Sequence, residues 1–369
     1  MTIRSGASLR LVLAILLLVA ACSRPPDLIG IDNPQFPALK AEGVSQNTIF
    51  IATTRASSEL AGTFFSDRRH AGLNLASVTV TVPPGHVPGQ IERAKRLPPD
   101  PGRDFTVVGP EVYDRDSEFV TAIDAALAQR PPQDRNILVF IHGYNNTLSD
   151  SVLRIAQFVN DTGFKGVPVL FSWASAGKVT HYVYDLNSAL VARPALEQTS
   201  ALLIRTKASG FDVFAHSMGS FVTMETLLRA SIRGELAGNN RLRNVMLAAP
   251  DIDMDLFRSQ LAQMKGKLGN VFVFVSRGDR ALGFSRRISG GVVRVGAADA
   301  AELEGLGVTV IDLSLISSDT THDKFANSPA VVQLIGQSLN KDNFEDKPGT
   351  PTLVEVVRGI PILRELVVD

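Results

Sequence analysis

From Asn136 onward the chain alternates between two kinds of stretch, and this alternation limits its fold more than any other feature. Short runs rich in β-branched and aromatic residues, Ile137–Ile141, Pro168–Phe171, Phe211–Ala215, Asn244–Ala248, Asn270–Val275 and Val308–Leu313, are separated by longer amphipathic ones. The longer stretches are Leu148–Asn160, Ser188–Ser209, Ser220–Ile232, Met254–Gln263 and Pro329–Leu339. A strand that is apolar on both faces needs cover on both, and helices lying between successive parallel strands supply it. The pattern therefore predicts an α/β fold with six parallel strands in one sheet. Upstream, Thr48–Thr53, Ser77–Val82 and Phe105–Val108 alternate over shorter lengths around a Pro83-Pro84-Gly85 turn. They predict N-terminal antiparallel strands that extend the sheet, closed by a helix over Asp116–Ala128 with Phe119, Ile123, Ala126 and Leu127 at helical spacing.

The chain has 369 residues, 45% hydrophobic and 20% charged, enough apolar material for one large core with appendages. The boundaries expected are a single domain over 46–340, of which 46–130 is the N-terminal strand extension. Lys plus Arg equals Asp plus Glu, at 37 each, so no long-range field favours polyanions and no nucleic-acid partner is expected.

The N-terminus has a different logic. Arg4 and Arg10 precede an unbroken apolar run, Leu11–Ala21, shorter than the roughly 20 residues a transmembrane helix needs. Residues 1–21 read as an export signal. The run ends in Val19-Ala20-Ala21-Cys22, which resembles the lipobox of bacterial lipoproteins. That resemblance implies that Cys22 is lipidated and becomes the mature N-terminus. Cys22 is the sole cysteine, so no free thiol would remain in an oxidising compartment. Ser23 resembles the residue choice that permits transfer to the outer membrane. The expectation is a cell-envelope protein attached to a membrane by an N-terminal lipid, with its domain in the periplasm. Residues 22–45 contain Pro25, Pro26, Pro34 and Pro37 and predict an extended tether. Residues 341–369 form a polar, proline-containing stretch and an apolar tail interrupted by Pro361, read as a docked terminal element.

The chemistry centres on Phe211-Asp-Val-Phe-Ala-His-Ser-Met-Gly-Ser220, where a strand runs straight into Ala215-His216-Ser217-Met218-Gly219 and then into a helix. This is the context of a nucleophile elbow, with alanine in place of the first glycine of G-x-S-x-G. The turn is sharp, so the residues two before and two after the serine must be small. A serine hydroxyl is a weak nucleophile and needs a base and an orienting third group. In the expected order of serine, acid and histidine, Asp279 follows the strand Asn270–Val275 and His322 follows Val308–Leu313. Of the six histidines, His70, His86, His142, His181, His216 and His322, His322 alone follows the candidate acid. Asp279 is the preferred acid, with Asp251 and Asp253, beyond an earlier strand end, as alternatives. An acyl-transfer site also needs oxyanion donors. Ile137-Leu-Val-Phe-Ile-His-Gly-Tyr-Asn145 ends a strand in a tight turn, which nominates the backbone N–H groups of Tyr144 and Met218.

These motifs, with Ile51-Ala-Thr-Thr-Arg55, Phe171-Ser-Trp-Ala-Ser-Ala-Gly177, Tyr184-Asp185 and Ala248-Ala-Pro-Asp-Ile-Asp253, resemble the esterase/lipase-like branch of the α/β-hydrolase superfamily. The resemblance covers about residues 46–340. It implies an α/β-hydrolase fold with a mostly parallel, doubly wound sheet, no cofactor and a Ser217, Asp279, His322 triad, but no settled natural substrate; the expectation for the site is a small-molecule ester substrate. Trp173, Tyr182 and Tyr184 are candidates for shaping its pocket. Two other readings stay open: a non-catalytic envelope lipoprotein using the scaffold for binding, and an amidase or peptidase with the same triad. No H-E-x-x-H, C-x-x-C or G-x-x-x-x-G-K-[ST] occurs, so no metal or nucleotide site is expected.

Overall fold

The computed structural model describes residues 24–236, 241–264, 268–316 and 321–340. The expected signal peptide, Cys22 and the 341–369 tail lie outside the described residues.

Among the described residues nine strands form one sheet: β1 (Ser45–Ser57), β2 (Phe65–Val82), β3 (Thr106–Tyr113), β4 (Asn136–Ile141), β5 (Val167–Ser172), β6 (Gly210–His216), β7 (Leu242–Ala248), β8 (Asn270–Val275) and β9 (Thr309–Asp312). Their order is β3-β2-β1-β5-β4-β6-β7-β8-β9. The β1–β2 and β2–β3 pairs are antiparallel, as expected of the N-terminal extension. β1, however, pairs parallel with β5, Phe50 opposite Val169 and Thr53 opposite Ser172. It therefore joins the parallel set, and the antiparallel extension begins only at β2.

Alternation along the central strands divides the core in two. Ile137, Val139 and Ile141 point to one face, covered by α1 (Asp116–Ala128), α3 (Tyr182–Ile204), α4 (Met218–Ile232) and α5 (Met254–Met264) through Phe119, Leu196, Val222 and Phe257. Leu138 and Phe140 point to the other, covered by α2 (Leu148–Thr162), α7 (Lys324–Asn327) and α8 (Pro329–Asn340) through Phe158, Phe325 and Ile335. The chain leaves β4 for β5 on one side and returns to β6 on the other. Strand order thus reverses at β4, and the crevice at the carboxyl ends of β4 and β6 is where such sheets bind ligands.

Two sequence expectations change. The helix expected over Ser188–Ser209 begins six residues earlier, at Tyr182, and α6 (Arg280–Ile288) was not anticipated. The described part of the expected tether is a strap docked on the body. Leu28 and Ile29 are buried. The N–H of Ile29 donates to the carbonyl of Gly62 (2.9 Å) and that of Gly30 to Val107 (2.8 Å) on the edge strand β3. The four prolines limit helix to one 3-10 turn, Ala38–Lys40, but they do not stop apolar side chains from seating against an open sheet edge.

The turn after β2 is pinned to α2 by His86, whose ring nitrogens lie 2.7 Å from Glu92 and 2.6 Å from Asp161. Burial alone would depress the imidazolium, but hydrogen bonds to the two carboxylates and their charges outweigh it, so the His86 pKa is raised above 6.5. A raised folded value stabilises fully below the unfolded value and is lost as pH rises through the folded one. His86→Ala should therefore lower stability by roughly 2 kcal/mol in mild acid, from hydrogen bonds to charged partners, and by less in alkali. Denaturant titrations across pH check this; a loss independent of pH would refute it.

Candidate active site

At the end of β6 the backbone turns so sharply that Ser217 takes φ 52° and ψ −121°, and α4 begins at the next residue. Such a conformation persists only where the surroundings dictate it. The N–H of Ser217 donates to the Ala248 carbonyl of β7 (2.9 Å), and its own carbonyl accepts from Ser220 (3.0 Å) and Asp251 (3.2 Å). The small residues predicted for the elbow are required by contact. A Cβ on Gly219 would stand 2.5 Å from the His142 carbonyl oxygen and 2.6 Å from that of Ile141. A Cβ on Gly143 would meet the Ser217 Cβ and His216 Nδ1, both at 2.9 Å. Ala215 is fully buried at the position where glycine is usual.

Asp279 follows β8 and caps α6. Its Oδ1 accepts from the N–H groups of Ala281 (2.9 Å) and Leu282 (3.0 Å), and its Oδ2 lies 2.7 Å from His322 Nδ1. The two loops are stitched together: the N–H of Arg280 donates to Thr321 Oγ1 (3.2 Å), and that of Arg277 to Ser314 Oγ (3.0 Å). The alternative acids are otherwise engaged. Asp253 caps α5 through Asp255 and Leu256. Asp251 accepts from Tyr182 Oη (2.9 Å) and Ser285 Oγ (2.5 Å) and lies 3.3 Å from Arg294 Nε.

Ser217, His322, His142 and His216 all line one cavity of about 490 Å³. Among the described residues the Ser217 hydroxyl has no hydrogen-bond partner, His322 included, although both side chains line this cavity. The N–H groups of Tyr144 and Met218 also have no partner among the described residues; Met218 opens α4, so its N–H is one of the helix's orphan donors.

The three histidines differ in protonation. Burial pushes His142 down to about 3, helped by the charge of Arg55. Burial does the same to His216, also about 3, helped by the adjacent His322. Burial opposes the charge on His322 too, but the hydrogen bond and charge of Asp279 outweigh it and raise the pKa above 6.5.

Sequence reasoning missed the support beneath the Gly143–Thr147 loop. Arg55, fully buried in β1, donates to the carbonyls of Asn146 (2.8 Å) and Ser175 (3.0 Å) and to Ser172 Oγ (2.9 Å). Burial lowers its pKa to about 10 against the nearby charge of Asp185. Asp185 accepts from the N–H groups of Asn145 (3.2 Å) and Ala176 (2.7 Å) and from Ser175 Oγ (2.5 Å). An arginine at the end of an apolar strand was the available signal. Of the three aromatic candidates, Tyr182 lines the cavity. Trp173 is instead fully buried, stacked 4.9 Å from the His142 ring with Nε1 donating to the His142 carbonyl (2.9 Å). Tyr184 lies under Arg69 at 4.2 Å.

Residues 117–338, more than half the chain, match the family described as alpha/beta hydrolase of unknown function (DUF900). The chain belongs to this family. The matched span runs from α1 to α8 and includes Ser217, Asp279 and His322, whereas β1 to β3 and Arg55 precede it. Similar solved structures include the hyperthermophilic esterase of the archaeon Pyrobaculum calidifontis, 12% identical over 82% of this chain and 87% of that one, with a TM-score of 0.37. Brefeldin A esterase, a bacterial homologue of human hormone sensitive lipase, is 15% identical over 85% and 79%, with a TM-score of 0.39. An esterase of the fungus Rhizomucor miehei is 14% identical over 84% and 86%, with a TM-score of 0.39. Likeness at this level says nothing of activity. No curated protein matches the chain. Among the described residues no group of three or more His, Cys, Asp or Glu is placed to hold a metal ion.

The site's electrostatics predict distinct titrations. In an imidazole NMR titration His322 should titrate above 6.5 while His142 and His216 stay neutral down to about 3. Asp279→Asn should move His322 downward. A His322 value unaffected by that substitution would show that the pair does not set its charge.

Proposed function

We propose that this DUF900 chain is a serine hydrolase acting on carboxylic esters. Ser217 Oγ attacks the carbonyl carbon as His322 Nε2 takes its proton, and Asp279 holds the imidazole in the productive tautomer. The negative charge that develops on the carbonyl oxygen is received by the N–H groups of Tyr144 and Met218, each such donor contributing about 2.7–4 kcal/mol to transition-state stabilisation. His322 returns the proton to the departing alcohol, leaving an acyl group on Ser217. Water activated by His322 then releases the acid. The observation that carries the reading is the Asp279–His322 hydrogen bond at 2.7 Å, on a histidine that shares a cavity with a serine held at positive φ. Arg55 and Asp185 act as positioning residues by fixing the loop that bears Tyr144.

We further propose that residues 1–21 are removed on export, that Cys22 is lipidated, and that the domain is held in the cell envelope, the outer membrane being favoured by Ser23. The support is the Val19-Ala20-Ala21-Cys22 sequence and the absence of any other cysteine.

Ser217→Ala should abolish hydrolysis of p-nitrophenyl butyrate, by about 10⁶ in kcat if the triad acts as a unit, with circular dichroism unchanged. Asp279→Asn should cost about 10⁴. The wild-type kcat/KM should rise with pH through the raised His322 value, because only the neutral imidazole accepts the proton. Full turnover by the Ser217 variant, or a rate that falls as pH climbs from 6 to 8, would reject the mechanism.

A further inference from the structure

The cavity at Ser217 adjoins a wider cleft of about 920 Å³, and Asn145, Asn146, Arg154 and Val179 wall both. Large apolar side chains stand in solvent around this double opening. Leu60 (73% exposed) and Val179 (61%) wall the wider cleft, and Phe284 (47%) walls the cavity at Ser217. Ile288 (48%) follows Phe284 by four residues, one turn of α6, and Val183 (65%) follows the cavity-lining Tyr182 at the start of α3. Single exposed apolar residues are ordinary on a folded protein, but a collar of them around a cleft marks a surface that meets another apolar phase.

A second observation identifies that phase. The docked strap reaches this same rim at Arg24. Arg24 donates to the carbonyls of Gly177 and Asn145 and pairs with Asp150, all three at the cleft or the oxyanion loop. Only Ser23 separates Arg24 from Cys22, so the chain can carry Cys22 no more than about 7 Å from Arg24, Cα to Cα. A lipid on Cys22 would therefore enter the bilayer beside the opening, not at the end of a long tether. Exposed Lys178 and Arg280 flank the opening, Lys178 on the wider cleft and Arg280 on the cavity. Against these two cations stands exposed Asp67 on the wider cleft, which leaves an excess of positive charge that suits the anionic headgroups of a membrane surface.

We propose that the apolar collar rests on the lipid surface with the mouth of the Ser217 cavity facing the bilayer. The substrate class is then an amphiphilic ester drawn from the membrane along the wider cleft. This rests on the ester-hydrolase and lipid-anchor readings above.

The test uses the full chain, purified in its lipidated form and reconstituted into vesicles of phosphatidylethanolamine and phosphatidylglycerol. With Cys22 acylated, Val183→Cys, Ile288→Cys and, as a control at the opposite ends of the strands, Lys207→Cys each offer a single free thiol for a fluorophore. The fluorophore at 183 and at 288 should lose most of its emission to nitroxide-labelled lipid and little to aqueous iodide, and the one at 207 the reverse. Acylated protein that hydrolyses p-nitrophenyl butyrate, yet whose labels at 183 and 288 are as open to iodide as that at 207, overturns this proposal alone. An intact mass without lipid on Cys22 overturns it at its premise. Inactivity toward the soluble ester removes the substrate assignment while leaving the orientation to be judged by the quenching.

Discussion

Ser217 stands at the tip of its turn because strand and helix backbones pass beneath it with no room for side chains. Gly219 brings α4 against the carbonyls at the end of β4, and Gly143 brings the loop after β4 against the Ser217 side chain. The positive φ of Ser217 is the consequence of that approach, and hydrogen bonds to Ala248, Ser220 and Asp251 hold it there. Once this junction is made, the first N–H of α4 points out of the helix unpartnered, and the reversal of strand order at β4 opens a crevice in front of it. The placement of the Ser217 hydroxyl and of the N–H that opens α4 is thus a packing result before it is a chemical one.

The remaining parts are held by polar groups that have left water. Asp279 serves two purposes with one carboxylate, capping α6 with one oxygen and orienting His322 with the other. Arg55 and Asp185 brace the Gly143–Thr147 loop from below, the arginine binding its carbonyl side and the aspartate its N–H side. Burying such charges is costly unless each is fully hydrogen-bonded, and here each meets several partners. The same burial that lowers the pKa of Arg55 raises that of Asp185. That balance favours one loop geometry over its neighbours.

Much of this was legible in the sequence because it follows from short-range pattern. The parallel strands were visible as apolar runs, α1 was delimited to the residue, and the elbow followed from small residues between a strand and a helix. His322 could be nominated from chain order. What was not legible depends on long-range pairing. Nothing local says that β1 pairs parallel with β5, since an alternating strand suits either direction. The prolines of the strap suggested a tether, because the edge that receives Leu28 and Ile29 comes from residues 62 and 107. Trp173 looked like a pocket residue from its place after β5, whereas the ring of His142, thirty-one positions earlier, turns it into the core. Helix α6 is hidden by a polar, arginine-rich composition, so its capping aspartate shows in the sequence only as an acid that follows a strand.

The central claim is that Ser217 is chemically activated and not merely strained. Reaction of the folded chain with a fluorophosphonate, followed by mass spectrometry of its peptides, tests this most directly, because an ordinary serine hydroxyl does not react. The account predicts one stoichiometric adduct on the peptide carrying Ser217, forming faster as pH rises through the range where His322 becomes neutral. A folded chain that stays unlabelled, or that is labelled on a serine other than Ser217, would contradict it.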